Sequence, residues 1–220
     1  GAEADLTHAL ALNASSVEAL AATGEFLSVM GRHDEAIETM EQARRLDPRS
    51  VEMLQHLGIV YWMAGKPEQA LEAVPESLTI VTDSPRGHYG RMLIFDQLGR
   101  RDEAMVERLA TLRGLSVAQG LAEHVESLAG SQGWRAAMEA WIGLLERTNR
   151  WEGAAMQWMA AGEPSRALDA LEHCVKARTT YLGFTGQSPC FRALHGNPRF
   201  HGVLRALKLE GRPGIAQGVG

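Results

Sequence analysis

Apolar positions recur along this chain at helical spacing, and the spacing itself repeats. In residues 51–84, Leu54, Leu57, Gly58 and Tyr61 fall at i, i+3, i+4 and i+7, which is one face of an α-helix. Gly65 follows where that helix needs a left-handed residue to end. Pro67 stands where the fixed φ of proline opens the next helix at no cost. Ala70 then faces back toward the first helix. Gly31, Gly65, Gly99 and Gly133 are each 34 residues apart, as are Ala36, Ala70 and Ala104. Leu27, Tyr61 and Phe95 keep the same interval, and so do the pairs Gly24/Gly58 and Leu20/Leu54. Small and large residues held together in one register predict a helix–turn–helix unit that stacks on copies of itself. Gly58 and Ala70 are expected to be small because two helix axes approach closely there. Runs of alternating Val, Ile and Thr that would read as strands are absent from the sequence.

The same phrase, GRHDEA, GKPEQA and GRRDEA, opens the second helix three times. With Leu-Gly and Tyr61 on the first helix and Ala70 on the second, the pattern resembles the tetratricopeptide repeat family. The resemblance implies an all-α fold: a right-handed superhelical solenoid of stacked antiparallel helix pairs. Repeats are expected at 17–50, 51–84 and, in degenerate form, 85–118. A short degenerate unit is expected at 119–147 and a fifth, carrying Trp151, Ala155, Trp158, Gly162, Ala167 and Leu171, at 148–181. Residues 1–16 read as the second helix of an incomplete upstream repeat, either a natural terminus capped by an amphipathic helix or a piece of a longer protein. Pro75 falls inside the second helix of the 51–84 unit, where a kink or a tolerated defect is expected.

Residues 182–209 read as capping helices and 210–220 as a flexible tail. In the cap, a short apolar helix spans about 190–194, and Asn197-Pro198 opens a last helix. Phe191, Leu194, Phe200, Val203, Leu204 and Leu207 are placed to cover the end of the stack. The string PCFRALHGNPRFHGVLRALKL resembles the endings of bacterial signalling proteins that carry tetratricopeptide arrays. It implies a cyclase, kinase or transcription-regulator domain outside this chain.

Net charge is −5. Residues 1–84 carry −9 and residues 85–220 carry +4, a profile unsuited to general nucleic-acid binding. No apolar stretch approaches the roughly 18 residues that span a bilayer, and no signal peptide is read. Neither a membrane nor a nucleic acid is therefore expected as a partner. Two cysteines, Cys174 and Cys190, are expected to be free thiols in a reducing cytoplasm. None of the eight histidines forms a metal-ligand spacing. His195 with Cys190 and His201 comes nearest, and capping or surface roles are the stronger reading. No phosphate-binding or nucleophile-elbow string occurs, and Asp34-Glu35 and Asp102-Glu103 suit the helix macrodipole. No enzyme activity, cofactor or metal is expected.

In arrays of this family the first helices line a concave face. Projecting the period there gives Glu25, Val29, His56, Ile59, Trp62, Met63, Tyr89, Leu93, Asp96, Gln97, Glu123, His124 and Ser127. Trp62 and Met63 suit an apolar side chain of a peptide. Alternatively, Trp62 packs on a neighbouring first helix. The basic clamp that some relatives use for a peptide carboxylate is missing, since Ala21, Glu25 and His56 stand in that neighbourhood. The expected partner is a protein or peptide segment, basic or apolar, bound in the groove. Self-association as a homo-oligomer is the alternative, ahead of a small-molecule sensor or enzyme.

Overall fold

A computed structural model of the chain describes residues 1–74, 84–118, 120–178 and 185–211. Among these, secondary structure is helical and no strand occurs. The helices are α1 (Ala2–Leu12), α2 (Val17–Val29), α3 (His33–Leu46), α4 (Val51–Met63) and α5 (Pro67–Ala73). They continue with α6 (Pro85–Gln97), α7 (Arg101–Arg113), α8 (Leu121–Gln132), α9 (Trp134–Arg147), α10 (Trp151–Ala160), α11 (Pro164–Ala177) and α12 (Pro198–Ala206). Short 3-10 helices cover Ser116–Ala118 and Pro189–Leu194. Consecutive helices pack on one another, and α2 also touches α4 as α4 touches α6. The result is a helical solenoid of stacked helix pairs.

Local chemistry fixes where each helix begins and ends. Ser16, Ser50 and Ser84 cap α2, α4 and α6; each Oγ accepts from the backbone N–H three residues on, at 3.2, 3.2 and 3.4 Å. That satisfies one of the donors every helix start leaves free. At the other end, Gly31, Gly65 and Gly99 adopt φ of 78°, 73° and 70°. The N–H of the residue after each glycine reaches back to Leu27, Tyr61 and Phe95 carbonyls at 2.9 Å. This is a Schellman ending, and it explains why those three large residues share the glycine register. Asn149 and Gly162 end α9 and α10 in the same way, through Arg150 to Leu145 and Glu163 to Trp158. Gly133 differs. It sits at φ 87°, ψ 171° between α8 and α9, a conformation open essentially to glycine alone, so its place in the register hides a different turn.

The close approach expected at Gly58 is present. A β-carbon there would lie 2.3 Å from Val74 Cγ2 and 3.4 Å from the Ala70 carbonyl oxygen. Gly24 repeats the arrangement, with Met40 at 2.6 Å and the Ala36 carbonyl at 3.3 Å. Gly90, on α6, is a contrast: a β-carbon there would meet nothing within 4 Å. Gly90→Ala is expected to stabilise the chain by about 0.5–1 kcal/mol by removing backbone freedom from the unfolded state. A urea melt reads this as a higher midpoint at unchanged slope.

Pro75, where the kink was expected, lies outside the described residues. The α5 helix before it ends at Ala73, and Val74 takes φ −117°, ψ 73°, as a residue preceding proline avoids the helical region. The Val74 carbonyl is taken up by Arg91, whose Nη1 donates to it at 3.0 Å. Arg91 Nε in turn donates to Glu107 at 2.7 Å, and the second oxygen of Glu107 meets His88 Nδ1 at 2.7 Å.

The C-terminal cap divides in two. The α12 helix packs on α11, with Arg199 bonded to Glu172 and Asp169 at 2.8 and 2.6 Å. Asn197 caps it, accepting from the Arg199 N–H at 2.9 Å. Phe200, Val203 and Leu204 are buried, while Leu207 is half-buried. Phe191 and Leu194 are buried as well; they belong to the 3-10 helix, which packs on α10, and the Phe191 ring also meets Phe200 of α12 at 6.0 Å between centroids.

Candidate functional site

The residues projected onto the first-helix face separate into three groups. Glu25 on α2, His56 and Ile59 on α4 come together. The Glu25 carboxylate is bonded to His56 Nδ1 across the two helices, and that bond holds the imidazole pKa above its ordinary value against the opposing effect of burial. Beside them, Val51, Glu52, Gln55, His56, Ile59, Ser84 and Arg86 line a cleft of about 440 Å³. Val51 and Ile59 give it an apolar part, and Glu52, His56 and Arg86 give it charge of both signs.

The second group lies in the core. Trp62 is 6% exposed, and Met63 and Leu93 are buried with it. All three belong to the hydrophobic cluster that also holds Trp141, Phe191 and Leu194. Tyr89 is tilted against Trp141 at 6.4 Å between ring centroids, and its hydroxyl oxygen would be 3.1 Å from a β-carbon on Gly153. Burial pushes its phenol well above the ordinary range. Asp96 is committed to Arg108, whose Nη2 donates to it at 3.1 Å, while Gln157 Nε2 donates at 3.4 Å. Gln97 is half-buried at the end of the same helix. The third group, Glu123, His124 and Ser127, is exposed on α8, away from the cleft lining; Val29 is half-buried.

Projection along the repeat missed residues that the structure makes prominent. Arg91, Glu107, Arg108 and Gln157 are buried polar groups. A signal existed for two of them. Arg91 falls one period after Leu57, and Arg108 one period after Val74 and two after Met40, so a cation stands at a core position in each case. Thr185, Gln187 and Ser188 are buried too, and no periodicity reaches them. Thr185 Oγ1 donates to Glu152 on α10 at 2.8 Å. Gln187 meets His33, whose imidazole is held below its ordinary pKa by burial first and by the nearby Arg192 charge. Cys190 is half-buried, and desolvation around its thiol pushes it up to about 12.

Burial pushes the Glu152 carboxyl from 4.5 up to about 7, with the Thr185 hydrogen bond opposing. A carboxyl raised in the folded state destabilises the fold as pH rises from near 4.5 through 7, because the unfolded chain ionises first. Glu152→Gln removes that charge and can still accept from Thr185. It is expected to stabilise the chain by on the order of 1–3 kcal/mol at pH 8 and to change little at pH 4.5. Thermal melts at the two pH values compare directly.

A family model described as tetratricopeptide repeat matches residues 30–91. That stretch contains the Gly58–Ala70 crossing and the whole cleft lining, and it is of tetratricopeptide repeat type. Comparison with curated proteins finds no match. Among the described residues no helix is long and apolar enough to cross a membrane.

Proposed function

We propose that the chain is a non-catalytic protein-interaction module that receives a peptide or a segment of a partner protein in the cleft between α4 and α6. The observation that carries this reading is the cleft itself. It lies inside the matched repeats, and its apolar part at Val51 and Ile59 is bordered by Glu52, His56 and Arg86. Repeats of this type commonly bind proteins or peptides. An apolar side chain fits against Ile59 and a charged or amide group against the rim, with the −9 of residues 1–84 favouring a basic or neutral segment. A cytoplasmic bacterial signalling protein is the setting this reading fits.

Selection of peptides from a random library on the intact chain supplies ligands for the test. Ile59→Asp is expected to weaken the selected peptides at least ten-fold, about 1.4 kcal/mol. Undiminished affinity in that variant would remove the cleft from consideration. A second reading, self-association, draws on the exposed Leu12, Leu46 and Val106. Light scattering across a hundred-fold concentration range decides it: a constant monomer mass ends that reading.

A further inference from the structure

The segment 185–194 is an unusual piece of chain. Apart from one short 3-10 helix it has no regular structure, yet Thr185, Gln187, Ser188, Phe191 and Leu194 are all buried. Connecting segments ordinarily run over the surface, because a buried loop must satisfy its polar groups elsewhere. This one satisfies two of its buried side chains, Thr185 and Gln187, on different repeats. Thr185 bonds Glu152 on α10. Gln187 meets His33 at the start of α3. The Arg192 guanidinium covers Gly65 at the end of α4, its Nη2 placed 2.9 Å from where a β-carbon would stand. Phe191 and Leu194 enter the cluster that holds Trp62, Met63 and Leu93, the residues whose register marks them for the first-helix face.

A short turn and 3-10 segment, anchored by a Phe and a Leu three residues apart and bonded to helices of different repeats, occupies the surface as a separate peptide could. We propose that Thr185–Leu194 is a tethered ligand of the first-helix face, and that a partner segment of the form Pro-x-Phe-x-x-Leu takes its place there. The proposal rests on the reading of this face as a protein-binding surface but concerns a different part of it from the Ile59 cleft. The physical case for release is asymmetric. Lifting the segment returns Thr185, Gln187 and Ser188 to water, which satisfies them. Of the segment's own side chains, only Phe191 and Leu194 are large and apolar. Lifting any helix of the array would expose far more. The segment therefore opens below the threshold of global unfolding.

The two cysteines report this. Cys190 is half-buried in the segment and Cys174 is fully buried on α11. With an alkylating reagent and mass spectrometry, Cys190 is expected to react at least ten-fold faster than Cys174 in native buffer, and at least ten-fold faster again in Phe191→Ala, a further gain that a thiol exposed on a fixed segment would not show. Its rate should depend only weakly on urea. Equal rates with one shared urea dependence would mean that the segment opens only when everything unfolds, and would overturn the proposal. A labelled peptide of residues 185–196 supplies the second arm. It should bind Phe191→Ala, or Thr185→Val if the first variant fails to melt cooperatively, and bind the unaltered chain at least ten-fold more weakly. A folded variant that ignores the peptide contradicts the proposal. Peptides whose binding depends on Ile59 should bind all these chains alike, so failure of the cleft and failure of the tethered ligand give different results.

Discussion

Asp96→Ala is expected to lower the unfolding free energy by about 3–5 kcal/mol, the cost of leaving a buried cation without its partner. Arg108 is fully buried, and its Nη2 is shared among Asp96 Oδ2 at 3.1 Å and Gln157 Oε1 at 2.7 Å. The three residues come from α6, α7 and α10, so the network joins the third helix pair to the last. Burial raises the Asp96 carboxyl and the Arg108 charge pulls it back, as expected of a pair that trades hydration for attraction. The register shows what the network replaces, since Val74 and Met40 hold the corresponding positions. The double variant Asp96→Leu with Arg108→Met should therefore recover most of the loss, because an apolar pair of similar volume removes the desolvation penalty along with the attraction. Chemical denaturation of the two single variants and the double variant completes a cycle. Simple additivity of the singles would show that the network is not coupled.

Gly58→Leu is expected to cost about 1–3 kcal/mol or more, even though leucine is the better helix former by up to about 1 kcal/mol. A first side-chain atom at Gly58 already falls 2.3 Å from Val74 Cγ2. Valine has little rotamer freedom with which to yield, and the Ala70 carbonyl stands behind it. The whole α4–α5 crossing would have to open. Gly90→Ala supplies the control, gaining stability where Gly58→Leu loses it. If both variants melted alike, the crossing would not be set by the small residues.

The helix pairs were legible in the sequence because their physics is local and repeated. Gly31, Gly65 and Gly99 are needed for positive φ, and Leu27, Tyr61 and Phe95 accept the bonds that close each helix. Even the capping serines, Ser16, Ser50 and Ser84, keep the 34-residue interval. Gly133 shows the limit of that logic: it holds the register and makes another turn. The candidate face was only partly legible. Projection brings Glu25, His56 and Ile59 together, since neighbouring first helices settle their positions. Of the two readings it leaves for Trp62 the buried one holds, and it does not foresee that Met63 and Leu93 would be buried too, or that the non-periodic 185–194 segment would send Phe191 and Leu194 into the same cluster. Nor does it foresee that Asp96 would be claimed by Arg108, a charge standing where the period calls for an apolar residue.

The most direct test of the account is hydrogen exchange on the intact chain, with and without a library-selected peptide, resolved by mass spectrometry. The account predicts added protection over residues 51–59 and 84–86, the two sides of the cleft, with α3 and α7 unchanged on their outward faces. Protection confined to those outward faces, with 51–59 and 84–86 exchanging as before, would contradict it.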